Sequence, residues 1–442
     1  MPQENPPVKT IEKSDNPNLR RVQYGCLIAL LVMEAFYFLL EQRGNGVACT
    51  WIEVYGVVPA MLFLGATVST RRDRPTRHLL AFGAAFMIWF AVVKTIHRIE
   101  GTGDRNIGAF FCANGLCLPF ARASGDGKQA RGLRWVSGLY LGLGTLLAGY
   151  CWMLLMGCVP EFLREYVRWD GTRFTAMLQP NICAVFLMCS IGACLLRCCK
   201  TKKAWPRILL AIWIVVLFAV ITLTNSRTTI VLTCVLIGGS LFCALRKSGR
   251  KRLIVACLAA AVLMGGLFVG SRKLSETRKK NITDSQETVQ VPNVQGSWEN
   301  DMKTLNGRTV IWRSACQGLR DNPGILLEGT EYTDLIISQY NYFQVAHAHN
   351  SWFQVLYELG IPGLLLALVL TAVAVYDALV VFWHNPDPVK SVTALLVLCI
   401  LGCSALEPYL FTANVLYHPI HLLFLLLAGY LDCWRAELKE KI

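Results

Sequence analysis

The chain has 442 residues, 54% of them hydrophobic and 16% charged, with a formal net charge of +14 and a mean hydropathy of +0.43. A soluble protein of this length carries about 25% charged residues, so a single water-soluble globular fold is excluded. The positive balance does not point to nucleic acid. Lys and Arg gather in short clusters between apolar runs, as in 71–77, 122–134, 197–207 and 246–252, which is the pattern that sets topology in a membrane.

The first 21 residues are polar and charged, and no small-residue cleavage site follows the first apolar run, so that run is expected to be a retained helix. Apolar runs then recur at 22–40, 51–70, 78–98, 107–121, 135–158, 181–197, 207–224, 228–245, 253–271, 352–383, 391–406 and 415–434. Most match the roughly 20 residues that cross a hydrocarbon core as a helix. Lipid offers the backbone no hydrogen bonds, so these runs must be helical. The expected fold is all-α, a polytopic membrane protein with about 12 transmembrane helices and one large extracytoplasmic loop. The tenth run is longer than one crossing needs, and its first turns are expected in the interface.

The distribution of basic residues places both termini in the cytoplasm. It divides the chain into a cytoplasmic tail 1–21, helices one to nine over 22–271, an external loop 272–351 carrying catalytic elements, helices ten to twelve over 352–434, and a tail 435–442. The loop opens with a basic stretch, 272–280, and carries a helix-like piece, 305–321, that Asn322-Pro323 would stop. Most of the 18 cysteines lie inside apolar runs without zinc-site spacing and read as small fillers, so no metal site is expected. Glu34 and Lys94, both in outer halves of spans, are expected to neutralise each other.

Ionisable groups at membrane depth are costly to keep and mark function. Four polar clusters fall at the outer face. Thr224-Asn225-Ser226-Arg227 lies between the seventh and eighth spans. Arg227 there is either a snorkelling side chain that steadies a helical hairpin or a guanidinium at the depth of a lipid phosphate, whose oxygens its two parallel donors suit. In 307–320, Arg308 and Trp312 share one side of a helix while Arg313 and Arg320 share another; the bland alternative is a solvated loop helix. His347 and His349 precede Asn350 at the start of the tenth span. Two apart, they cannot face one ligand from a helix but can from an extended segment, and a histidine can accept a proton from a hydroxyl. The outer loop 169–181 holds Arg173, able to join a cationic set, and ends in Pro180-Asn181, with Asn181 expected to cap the sixth span. Glu407, before Pro408 where the eleventh span emerges, reads as either structural or functional.

These clusters, in this order, resemble the O-antigen ligase and O-antigen polymerase superfamily. The resemblance rests on Pro180-Asn181 at a helix start, Thr224-Asn225-Ser226-Arg227 at a hairpin, Arg308 to Trp312 leading to Asp321-Asn322-Pro323, and His349-Asn350 followed by Glu358-Leu359-Gly360-Ile361-Pro362-Gly363. It covers about residues 170–365. Thr228 stands where relatives often have glycine after Ser-Arg, and Leu327-Glu328-Gly329-Thr330 stands at the usual Gly-x-Gly.

The resemblance implies an inverting, metal-independent glycosyltransferase without a cofactor. Its donor would be a glycan on a polyprenyl diphosphate, such as undecaprenyl diphosphate, at the outer face of a bacterial cytoplasmic membrane. Its acceptor would be a hydroxyl on glycan, lipid or protein, and membrane lipids would be its remaining partners. Arg227 and Arg308 would stabilise the departing diphosphate and His349 would act as base. Arg173, Arg313, Arg320, His347, Asn350 and Trp312 would contact substrate. Two alternatives stand beside it. One is a lipid-linked glycan transporter or flippase, which predicts paired repeats with broken spans that the sequence lacks. The other is a non-catalytic glycan-binding membrane protein.

Overall fold

The computed structural model describes residues 131–164, 167–170, 173–176, 179–245, 258–270, 307–341, 345, 347–412 and 418–439, with isolated positions between 18 and 97 and at 254 and 273. The second and fourth expected spans, nearly all of the first, the Glu34 and Lys94 pair and loop residues 274–306 lie outside the described residues.

The described chain is almost entirely helical. Its helices are α1 (Arg131–Leu155), α2 (Pro180–Lys200), α3 (Ala204–Leu223), α4 (Arg227–Leu245), α5 (Leu258–Gly270), α6 (Arg308–Asp321), α7 (Ile325–Glu328), α8 (Thr333–Gln339), α9 (Ser351–His384), α10 (Pro388–Ser404) and α11 (His418–Lys439). Among the described residues, α1, α2, α3, α4 and α9 are long and apolar enough to cross a membrane. One feature departs from an all-α fold. Strands β1 (Val167–Asp170) and β2 (Arg173–Ala176) pair antiparallel, with Val167 opposite Ala176 and Asp170 opposite Arg173. Val167, Phe174 and Ala176 are buried, which anchors the hairpin to the helices beneath.

Helices α2 and α10 form the centre. Both are apolar on all sides and buried along most of their length, as expected of a helix without a polar face. By contrast, α3 buries mainly its last turns, from Leu217 to Leu223, and exposes Trp205, Ile208, Leu209 and Ile212. Such a wide apolar surface is at home in lipid. Small residues bring the central helices together: a Cβ on Gly192 of α2 would lie 2.7 Å from Leu396, and one on Gly239 of α4 would lie 2.8 Å from Leu395, both leucines on α10. Ser190 Oγ on α2 also donates to the Tyr140 carbonyl of α1 at 2.6 Å.

The long helix α9 is broken at Gly360, which takes φ 65 and ψ −172. Pro362 follows and has no N–H to continue the ladder. The carbonyls released near the break find other donors. Tyr357 O accepts from the Thr330 amide at 2.6 Å, and Leu359 O accepts from Trp89 Nε1 at 2.8 Å. The short helix α7 packs into the break, leaving no room for a side chain. A Cβ on Gly360 would lie 2.7 Å from Leu327 O, and one on Gly329, at φ 70, would collide with Glu358 O. The break separates a first segment, 351–359, from the apolar run that continues to His384. That first segment leads directly into the His347–Asn350 stretch.

Gly360→Ala and Gly329→Ala are therefore expected to destabilise the protein by about 2 kcal/mol or more each, from left-handed backbone plus overlap. Gly142→Ala on α1, where nothing lies within 4 Å, should be neutral or stabilising by up to about 1 kcal/mol. Thermal unfolding in detergent checks this, and equal midpoints for all three variants would contradict the packing described.

Candidate active site

Four separate parts of the chain meet at one carboxylate. Glu407 lies three residues beyond the end of α10 and is 5% exposed. Its Oε1 accepts from Arg308 Nη2 at 2.6 Å and from Asn181 Nδ2 at 2.7 Å. Its Oε2 faces His349 Nδ1 at 3.1 Å and His347 Nε2 at 4.0 Å. Behind Asn181 stands Arg173, the first residue of β2. It donates through Nη2 to Asn181 Oδ1 at 2.6 Å and through Nε to the Thr224 carbonyl at 2.9 Å. Thr224 belongs to the turn between α3 and α4, where Asn225 takes φ 54. Arg227, half-buried, begins α4 just past that turn.

Asn181 does not cap α2. Pro180 occupies the first helical position and Gln179 is the N-cap, with no side-chain cap bond. This moves Asn181 into the first turn, where its amide bridges Arg173 and Glu407.

The histidine segment is fixed by its own polar contacts. Asn350 caps α9, accepting from the amides of Trp352 at 2.8 Å and Phe353 at 3.0 Å. Its Nδ2 donates to Ala405 O at 2.8 Å, and Ser351 Oγ donates to Glu407 O at 3.1 Å. Gln354 Oε1 accepts from the Ala348 amide at 3.0 Å, and Trp312 Nε1 donates to Ala348 O at 3.1 Å while its ring stacks on Phe353. Between these anchors His349 adopts φ 49, a left-handed conformation, which turns its ring beside that of His347, with centroids 4.1 Å apart.

Burial alone would raise the Glu407 carboxyl. The facing His349, Arg308 and His347 outweigh it and hold the group well below the usual carboxylate range. Glu407 is thus an ionised acceptor, and His349 must donate to it from Nδ1. The pair with Arg308 is largely buried, with side chains 12% and 6% exposed, so removing either partner costs about 3–5 kcal/mol. His347 is brought down to about 4 by burial and then by His349, against the pull of Glu407. Its Nδ1 accepts the His349 amide proton at 3.2 Å, so the neutral ring carries its own proton on Nε2.

His347, His349 and Glu407 place one ligand atom each within 4.8 Å of one another, the spacing of a metal site. In the metal-free network the nitrogens nearest Glu407, Nε2 of His347 and Nδ1 of His349, both carry protons that an ion would have to displace, and the Arg308 guanidinium already pairs with the carboxylate.

The structure thus brings together Arg173, Arg308, Trp312, His347, His349 and Asn350, and places Arg227 at the turn that Arg173 holds. Arg313 and Arg320 are exposed, on the side of α6 opposite buried Ile311, Ala315 and Gly318. Asn181 as a bridge and Glu407 as the hub were not evident from sequence, where each had a local explanation.

His347 is buried neutral, so the unfolded chain binds its proton first and stability is lost as the pH is lowered from 6.5 to about 4. His347→Gln should reduce this acid-side loss when thermal midpoints are compared across that window. An unchanged slope would contradict the buried neutral state.

Residues 210–368, from α3 through the histidine segment into α9, match the family model described as O-antigen ligase. No curated protein matches the chain. The matched stretch contains Arg227, Arg308, His347, His349 and Asn350, and it sits in a helical chain with several helices long and apolar enough to cross a membrane. Over that stretch the chain is similar to the O-antigen ligase family, which supports a place in the O-antigen ligase and polymerase superfamily.

Proposed function

We propose that the protein is an inverting glycosyltransferase that moves a glycan from a polyprenyl diphosphate, such as undecaprenyl diphosphate, onto an acceptor hydroxyl. The reaction takes place at the outer face of a bacterial cytoplasmic membrane. In this reading about twelve helices cross the bilayer, both termini are cytoplasmic, and the loop 272–351 lies outside.

The reading is carried by one juxtaposition: Arg308 and His349 bind the two oxygens of a single buried carboxylate. A permanent cation and an imidazole are thereby held side by side. Arg308, with Arg227, binds the donor diphosphate, and Arg173 adds positive charge behind them. As the acceptor oxygen bonds to the anomeric carbon, the bond from that carbon to the diphosphate breaks and its electron pair leaves with the diphosphate. Negative charge grows there, so cations at that place stabilise the transition state more than the ground state. Diphosphate leaves readily and needs no general acid. The acceptor's proton goes to His349. His347, Asn350 and Trp312 shape the surroundings of that base and contact sugar, whereas Arg313 and Arg320, exposed on α6, can meet substrate only at the periphery.

Purified protein, given a polyprenyl-diphosphate-linked glycan and acceptor without ATP, should transfer the glycan and release polyprenyl diphosphate. A flippase would move the intact glycolipid, and a binding protein would leave it unchanged. Arg227→Ala and Arg308→Ala should each lower the rate on the order of 10²–10³-fold, and His349→Ala by about 10²–10⁴-fold. A variant present at normal level with near-wild-type transfer would remove that residue from the mechanism. Chelator should leave the rate unchanged; loss of activity that a divalent ion restores would contradict the metal-free reading.

A further inference from the structure

The two oxygens of Glu407 are not equivalent. Oε1 takes two donors, Arg308 Nη2 and Asn181 Nδ2, while Oε2 is turned to His349. Asn181 cannot reverse its amide without losing Arg173, whose Nη2 donates to Asn181 Oδ1 at 2.6 Å. The His349 ring is likewise fixed, through φ 49, the Asn350 cap and the Ala348 contacts to Gln354 and Trp312. The chain of donors therefore runs one way, from Arg173 through Asn181 to Glu407, with His349 donating from the other side. His349 is 27% exposed along its side chain, and Glu407 only 6%.

We infer that Glu407 is a positioning residue for glycan transfer: it holds His349 as the Nδ1–H tautomer, so that Nε2 carries the lone pair that takes the acceptor's proton, and it ties that base to Arg308. This rests on the reading of the cluster as a transfer site. In the reaction the acceptor O–H proton passes to His349 Nε2, and the acceptor oxygen keeps the electron pair that forms the glycosidic bond. The bond to diphosphate breaks with its pair going to the diphosphate. His349 becomes an imidazolium with Nδ1–H still on Glu407, whose fixed negative charge stabilises it. Glu407 itself stays ionised throughout.

The asymmetry makes Glu407→Gln informative. Two donors still converge on the Oε1 position, so the glutamine carbonyl must point there and its NH₂ must face His349. An NH₂ group can only donate, which forces Nδ1 to accept and moves the ring proton to Nε2. The base atom is then blocked although the residue is nearly isosteric. Glu407→Asp keeps the carboxylate and should retain the tautomer and part of the rate.

The test is the ¹⁵N NMR spectrum of full-length protein labelled at histidine, in detergent at alkaline pH, with His349 assigned by difference from His349→Asn. The wild type should show His349 protonated on Nδ1 and His347 protonated on Nε2. Glu407→Gln should reverse His349 and lower kcat on the order of 10⁴-fold, as for a wrong tautomer in a carboxylate–histidine pair, with a smaller effect on donor KM. A wild-type His349 protonated on Nε2, or an unchanged tautomer in Glu407→Gln, overturns the proposal even if transfer proceeds through His349. The wild-type spectrum decides this without any variant that fails to accumulate. If instead the tautomers are as expected but the wild type transfers no glycan, the transfer reading fails, and the catalytic role of Glu407 with it.

Discussion

A buried carboxylate held by a guanidinium on one side and an imidazole N–H on the other is the constraint on which this cluster depends. An ionised group removed from water survives only if its lone pairs are met by donors and its charge is compensated. Glu407 meets both conditions by drawing donors from α2, α6 and the segment before α9, each remote from the others in sequence. Closing those hydrogen bonds fixes the relative positions of three polar segments that no regular hydrogen-bond ladder connects. What Glu407 needs for its own stability is also what holds a guanidinium beside an imidazole.

The membrane-like helices supply the rigid frame for this arrangement. Leucines 395 and 396 of α10 fit against Gly239 and Gly192, so the helix that presents Glu407 is held from both sides. The break at Gly360 lets the first turns of α9 depart from the direction of the long apolar run. A straight helix could not both complete the run and deliver Asn350 to the carbonyl of Ala405. The left-handed backbone at His349 belongs to the same compromise, since strain at a single residue aims its ring and is offset by the bonds that pin both sides of it.

Much of this was legible from local pattern. Apolar runs marked the helices, and the four-residue spacing of Arg308 and Trp312 put both on the side of α6 that turns toward the histidine segment. That same periodicity set Arg313 and Arg320 on the opposite side, where the structure has them exposed. The strand pair on which Arg173 stands was not expected: the segment reads as an outer loop, although Asp170-Gly171 is a common hairpin signal. Asn181 misled because an asparagine beside a helix start usually caps it, yet proline at the preceding position shifts the cap back to Gln179. Glu407 was hidden for a different reason. Its importance lies wholly in partners distant along the chain, and nothing in Leu406-Glu407-Pro408 encodes them.

A density map of the protein with a non-hydrolysable polyprenyl-diphosphate glycan bound in a lipid nanodisc tests the central claim most directly. The account predicts the diphosphate against Arg308 and Arg227, with the anomeric carbon facing His349. A diphosphate seated at another face of the molecule, with the Glu407 cluster untouched, would contradict it.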